Sequence, residues 1–104
     1  MRLTSQEINT FIQVFNAADA NAEIYLFGSR TQDSLRGGDI DLLIHSTKID
    51  KYLLRKIKWQ LLELLGEQKL DIILSADLKE PFIRLILPTA ITIKSNTKIH
   101  AATP

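Results

Sequence analysis

Asp39 and Asp41 open the apolar run Leu42-Leu43-Ile44, and a third acid, Asp71, stands inside a second apolar run, "LDIIL" at 70–74. In a strand, side chains alternate between faces, so Asp39 and Asp41 point the same way, about 7 Å apart. Like charges at that separation repel and prefer water unless a cation sits between them. Asp71 is flanked by apolar residues, where an unpaired acid is costly. If its strand lies beside the first, all three carboxylates share one face. An all-oxygen set of this kind suits Mg²⁺ or Mn²⁺ rather than zinc.

Gly28-Ser29-Arg30, directly after the apolar stretch "EIYLF", supplies a complementary half. A glycine at a strand end lets the backbone turn sharply and leaves room for a close ligand. If Ser29 begins a helical turn, its N–H and hydroxyl can hold phosphate oxygens at the turn's positive end. Arg30 adds a planar cation suited to the same oxygens. A phosphate cradle beside carboxylate-bound metal is the equipment for phosphoryl or nucleotidyl transfer.

The elements that must position these residues follow from pattern. Thr4-x-x-Glu7 is a capping-box signature, and Ile8, Phe11, Ile12 and Phe15 behind it predict an amphipathic helix over residues 5–19. Glu23 to Phe27 reads as a strand ended by Gly28, residues 28–38 as a loop with room for a helical turn, and Asp39 to His45 as a second strand. Leu53, Leu54, Ile57, Leu61, Leu62 and Leu65 stripe a helix over 49–65, with Gly66 at its C-terminal cap. Lys69 to Ser75 is a third strand; Pro81 opens a short helix to about Leu87; Ile91-Thr92-Ile93 is a closing strand.

Helices interleaved with strands predict an α/β or α+β domain, a small mixed sheet covered mainly on one face. The loop between the first two strands is long enough for a hairpin or a crossover, so strand direction stays open. The reading is one domain over residues 1–94 and a polar tail over 95–104.

Composition narrows the functional classes. At 104 residues the chain has room for one small core. It has no cysteine and only two histidines, which excludes thiolate sites and disfavours a histidine-rich zinc site. A net charge of +1 gives no reason to expect nucleic acid as the main partner. Neither a signal-peptide core nor a membrane-length apolar run is present in the sequence, and a cytoplasmic location is the default expectation.

Blander readings stand beside the sharp ones. An isolated Asp-x-Asp is most simply a surface pair capping the Gly37-Gly38 turn; Gly28-Ser29 upstream and Asp71 downstream reverse that preference. Lys51, Arg55, Lys56 and Lys58 read as the solvated face of their helix. Tyr52 and Trp59 fit a core edge or a partner contact, and His45 a structural role. The apolar segment Phe82 to Leu87 serves either the core or a partner interface.

Gly28-Ser29, nine intervening residues, Asp39-x-Asp41 and the later strand residue Asp71 together resemble the polymerase-β-type nucleotidyltransferase superfamily. The length is similar to its smallest branch, the minimal nucleotidyltransferase (MNT) proteins, and the resemblance spans nearly the whole chain. It implies that Asp39 and Asp41 hold the metals that bridge the nucleotide phosphates. Asp71 would complete the second metal site and help deprotonate the acceptor hydroxyl. Gly28 and Ser29 would bind the β and γ phosphates, with Arg30 assisting. Many relatives read "GSRARG" where this chain reads "GSRTQD", leaving Arg36 as the other cation of the loop.

The resemblance also implies the polymerase-β-like fold, Mg²⁺ or Mn²⁺ as cofactor and ATP as substrate. Such short proteins resemble antitoxins of HEPN/MNT pairs, which transfer AMP to a tyrosine of a helical HEPN toxin. A Mg²⁺-dependent transferase acting on a hydroxyl of such a partner is therefore the first expectation, with oligomeric state left open. The alternative is a non-catalytic antitoxin or binding subunit that masks its partner. The charge argument separates them: Asp39→Asn should abolish transfer yet leave thermal unfolding unchanged or raise its midpoint in metal-free buffer. Retained transfer would remove Asp39 from the metal site.

Overall fold

Thr4 starts the first helix through the capping box that its sequence forecasts. The Glu7 backbone N–H donates to Thr4 Oγ1 at 3.1 Å, and the Thr4 N–H to Glu7 Oε1 at 2.9 Å. The computed structural model describes residues 3–28, 40–66 and 69–95 of the chain. Within them α1 runs Ser5–Ala18, β1 Glu23–Phe27, β2 Ile40–His45, α2 Lys51–Leu65, β3 Leu70–Ser75, α3 Pro81–Ile86 and β4 Ile91–Lys94, with a 3-10 turn, Leu87–Thr89, before β4. The polar tail expected from residue 95 lies, beyond Ser95, outside the described residues.

The strands form one four-stranded mixed sheet in the order β3-β2-β1-β4. β1 pairs antiparallel with both β2 and β4, and β2 pairs parallel with β3. The first connection is therefore a hairpin in direction, which settles the alternative that loop length left open. The parallel β2–β3 pair needs a crossover, and α2 provides it.

α1 and α2 cover one face. Phe11, Val14 and Phe15 of α1 and Ile57 and Leu61 of α2 are buried with Ile24, Leu26, Ile40, Leu42 and Ile44 in a single apolar cluster. α2 begins two residues later than its pattern suggested, because Asp50 caps it: Asp50 Oδ1 accepts the Leu53 N–H at 2.8 Å. Gly66 ends it at φ 83°, with its N–H donated to Leu62 O. Tyr52 and Trp59 stand 75% and 67% exposed on its outer side, so neither belongs to the core.

β2 is the strand that the fold encloses. Ile40, Leu42, Leu43 and Ile44 have no exposed surface, although Leu43 faces away from the helices. α3 reaches that second face. Its Phe82 ring meets the Phe27 ring edge-on, centroids 6.3 Å apart at 79°, and Ile83 is buried. The turn into α3 is held by Ser75, whose hydroxyl donates to Glu80 Oε1 and accepts the Leu78 N–H, each at 2.8 Å. Leu78 itself takes a left-handed conformation, φ 61°, unfavourable for a leucine. Helices thus lie mainly on one face, as expected, and a short one crosses the other. No helix among the described residues is long and apolar enough to cross a membrane.

A buried polar joint ties α1 to the β2–α2 connection. The Ser46 hydroxyl donates to Asp19 Oδ2 at 2.6 Å while its oxygen accepts the Lys48 and Ile49 N–H groups. Asp19 also accepts the Asn21 N–H at 2.9 Å. The Ser46 hydrogen bond holds the Asp19 carboxyl below the ordinary aspartate range against the opposing effect of burial, with Asn21, Lys48 and Lys94 adding to it. A depressed carboxyl stabilises the fold above its unfolded value, near 3.9, and that stability disappears as pH falls through the lower folded value. Ser46→Ala should cost about 2 kcal/mol at neutral pH by urea unfolding. The gap to the natural sequence should narrow as pH falls below the unfolded aspartate range and through the lower folded value of Asp19; a gap independent of pH would show that the hydroxyl acts only on the backbone.

Candidate active site

The register of β2 and β3 sets two of the predicted acids side by side. Asp41 pairs with Asp71 across the parallel ladder, so their side chains leave the same face from strands about 4.8 Å apart. That ladder is anchored one residue earlier, where the Ile40 N–H donates to Lys69 O at 2.9 Å. Asp71 is exposed and Asp41 half-buried, so both carboxylates sit where a solvated ligand can reach them. The face is the one opposite the helical core, because Ile40 and Leu42, on either side of Asp41, point into that core.

Gly28 adjoins this pair. It follows Phe27, whose register partner across the β1–β2 ladder is Asp41. Its φ is +80°, which a side chain rarely tolerates. A Cβ placed there would run into Asp41 Oδ2 and lie 3.1 Å from Asp41 Cγ. The bare backbone of Gly28 therefore lies against the carboxylate; its left-handed conformation favours glycine, and any side chain there would push the Asp41 carboxylate aside. Of the remaining predicted residues, Ser29, Arg30 and Asp39 lie outside the described residues, as do Arg36 and the Gly37-Gly38 turn.

Oxygen donors from two adjacent acids, open to solvent, fit a hard divalent cation by their chemistry. Among the described residues no group of three His, Cys, Asp or Glu side chains is placed to hold a metal ion; of the three acids expected from the sequence, Asp41 and Asp71 are described and adjacent.

The far end of the same face is occupied differently. His45 lies four residues beyond Asp41 on β2, about 13 Å away along the strand. Its Nδ1 is 2.7 Å from Glu23 Oε1 and its Nε2 3.0 Å from the Ala76 carbonyl oxygen. Tyr25 and Ser95 hydroxyls also donate to the Glu23 carboxylate, each at 3.1 Å. Burial and the neighbouring Glu23 charge push the Tyr25 hydroxyl above its ordinary value. A cleft of about 190 Å³ opens here, lined by Asp19, Asn21, Glu23, His45, Ser46 and Thr47. Its acids and imidazole already bond within the protein, in agreement with a structural His45.

Sequence patterns put neither Phe27 beside Asp41 nor Phe82 against Phe27. The signal for Phe27 was its place just before Gly28, but only antiparallel pairing puts it opposite Asp41, and loop length could not settle direction. A Gly28→Ala variant checks the close approach. Left-handed strain alone should cost about 2 kcal/mol by urea unfolding, and displacement of Asp41 should weaken Mg²⁺ binding by titration. Wild-type stability with wild-type Mg²⁺ affinity would contradict the geometry.

Comparison with known proteins bears on the fold and the family. Among solved structures the chain is similar to a crystal structure of a toxin–antitoxin with AMP-PNP, with 20% identity and a TM-score of 0.68, covering 88% of this chain and 76% of that one. It is also similar to the crystal structure of the toxin–antitoxin MntA-HepT, with 17% identity and a TM-score of 0.65, covering 92% of this chain and 76% of that one. At such identities the likeness is one of fold. No curated protein matches the chain. Residues 9–99 match the family described as polymerase beta, nucleotidyltransferase. That match takes in both strands that carry the paired acids and the glycine beside them, and the chain belongs to the polymerase-β nucleotidyltransferase family.

Proposed function

We propose that the protein transfers a nucleoside monophosphate, AMP from ATP, to a hydroxyl group of a partner protein. The observation that carries this reading is the pairing of Asp41 with Asp71, with the Gly28 backbone against the Asp41 carboxylate. Asp39, Asp41 and Asp71 would hold Mg²⁺, which when bound neutralises the triphosphate and the departing pyrophosphate.

The chain's own groups then have distinct tasks. Gly28 and Ser29 receive the β and γ phosphates on backbone N–H groups, with Arg30 pairing to the same oxygens. The acceptor oxygen attacks the α-phosphorus, the bond from that phosphorus to the bridging oxygen breaks, and pyrophosphate leaves. Asp71, exposed at the site, would accept the hydroxyl proton as the new bond forms.

The toxin–antitoxin setting of the similar structures supports a toxin of the helical HEPN type as the partner and an antitoxin role for this chain. Tyr52 and Trp59, exposed beside Arg55 and Lys58, are of the residue types that dominate protein interfaces. The test uses α-phosphate-labelled ATP and Mg²⁺ with the protein co-expressed with its genomic neighbour. Label should appear on the neighbour and fall by about a hundredfold or more with Asp41→Asn, the scale of losing one charge-stabilising group. Absence of label, with suppression of the neighbour by both forms, would replace transfer with masking.

A further inference from the structure

The second face of the sheet carries an aromatic wall that neither the core nor the carboxylates account for. Phe27 shares its ladder position with Asp41, and directly opposed residues of an antiparallel pair lie about 5 Å apart. Phe82 stands behind it, edge-on at 6.3 Å. A short helix on a small domain ordinarily buries its large apolar residues. Here α3 buries Ile83 and leaves Phe82 52% and Leu85 77% exposed. These two are one turn apart and so share a side of α3. The Phe27 contact fixes the Phe82 ring while leaving half its surface to solvent.

We propose that Phe82, braced by Phe27 and bordered by Leu85, is the stacking surface for the base of the nucleoside triphosphate. This rests on the reading that such a triphosphate is the substrate. The triphosphate belongs at Asp41 and Gly28, and the base must lie one ribose away from the α-phosphate. Phe27 joins the two places: its backbone pairs with Asp41 and its ring meets Phe82. An aromatic ring offers a base an apolar π-face and no hydrogen-bonding group, so it adds affinity for any base and most for the larger purine ring. The Phe82 side chain would thus contribute to nucleotide binding and leave the phosphates to the loop and the acids.

Calorimetric titration with Mg²⁺ present, using ATP and inorganic tripolyphosphate as separate probes, tests the assignment. Phe82→Ala should weaken ATP by roughly 5- to 100-fold, the range observed for loss of one base–aromatic stack. Tripolyphosphate affinity should not change, and Phe82→Trp should restore ATP binding. Because Phe82 is half exposed, Phe82→Ala should lower the thermal midpoint only modestly, by the loss of its Phe27 contact, and Phe82→Trp should leave it near that of the natural chain. Unchanged ATP affinity in Phe82→Ala overturns the proposal while leaving the transferase reading in place. Equal weakening of both probes overturns it in favour of a structural role, and a change confined to oligomeric state overturns it in favour of contact between copies. If the natural chain binds neither probe, the substrate reading fails and the stacking surface fails with it.

Discussion

Two carboxylates held one strand apart impose the main constraint on this fold. Asp41 and Asp71 occupy the same rung of a parallel ladder, and when ionised they repel across it. What keeps them there is the strand that carries Asp41. β2 is buried on both faces by Ile40, Leu42, Leu43 and Ile44, so it cannot slip or rotate to separate the acids. A one-residue slip would send Asp41 into the helical core and Leu42 into solvent. The apolar run on β2 therefore fixes the geometry of the acids as well as the core.

That division of labour extends across the sheet. One face takes α1 and α2 and supplies most of the burial. The other carries Asp41 and Asp71 at one end and a polar fastening at the other. Glu23, His45 and the Ala76 carbonyl bind β1, β2 and the turn after β3 together, and Ser46 and Asp19 do the same for the helices nearby. At the opposite end the carboxylates face solvent, with Gly28 withdrawn to bare backbone beside them.

Much of this was legible in the sequence, for identifiable reasons. Period-two alternation separates Asp41 from the core-facing Ile40 and Leu42 whatever the topology. Thr4 and Glu7, the leucine stripe of α2 and Gly66 mark helix ends through local chemistry, and the structure has them within two residues. Non-local relations were not legible. That Asp71 lies beside Asp41, rather than a residue above or below it, depends on the β2–β3 register, and no local pattern encodes a register between strands separated by a helix. Leu43 is a related case: its burial on the far face follows from β2 being central, with α3 crossing that face, and strand order is a property of the whole sheet.

The same non-local logic explains why α3 was ambiguous. "PFIRLI" is apolar almost all round, which in sequence can mean a helix packed on every side. In the structure α3 meets the sheet face that carries Phe27, and only one of its sides is covered there. Ile83 is buried, but covering Phe82 and Leu85 would require another layer over that face. Solvent exposure of apolar side chains on α3 is thus the consequence of a short helix that no further element among the described residues covers.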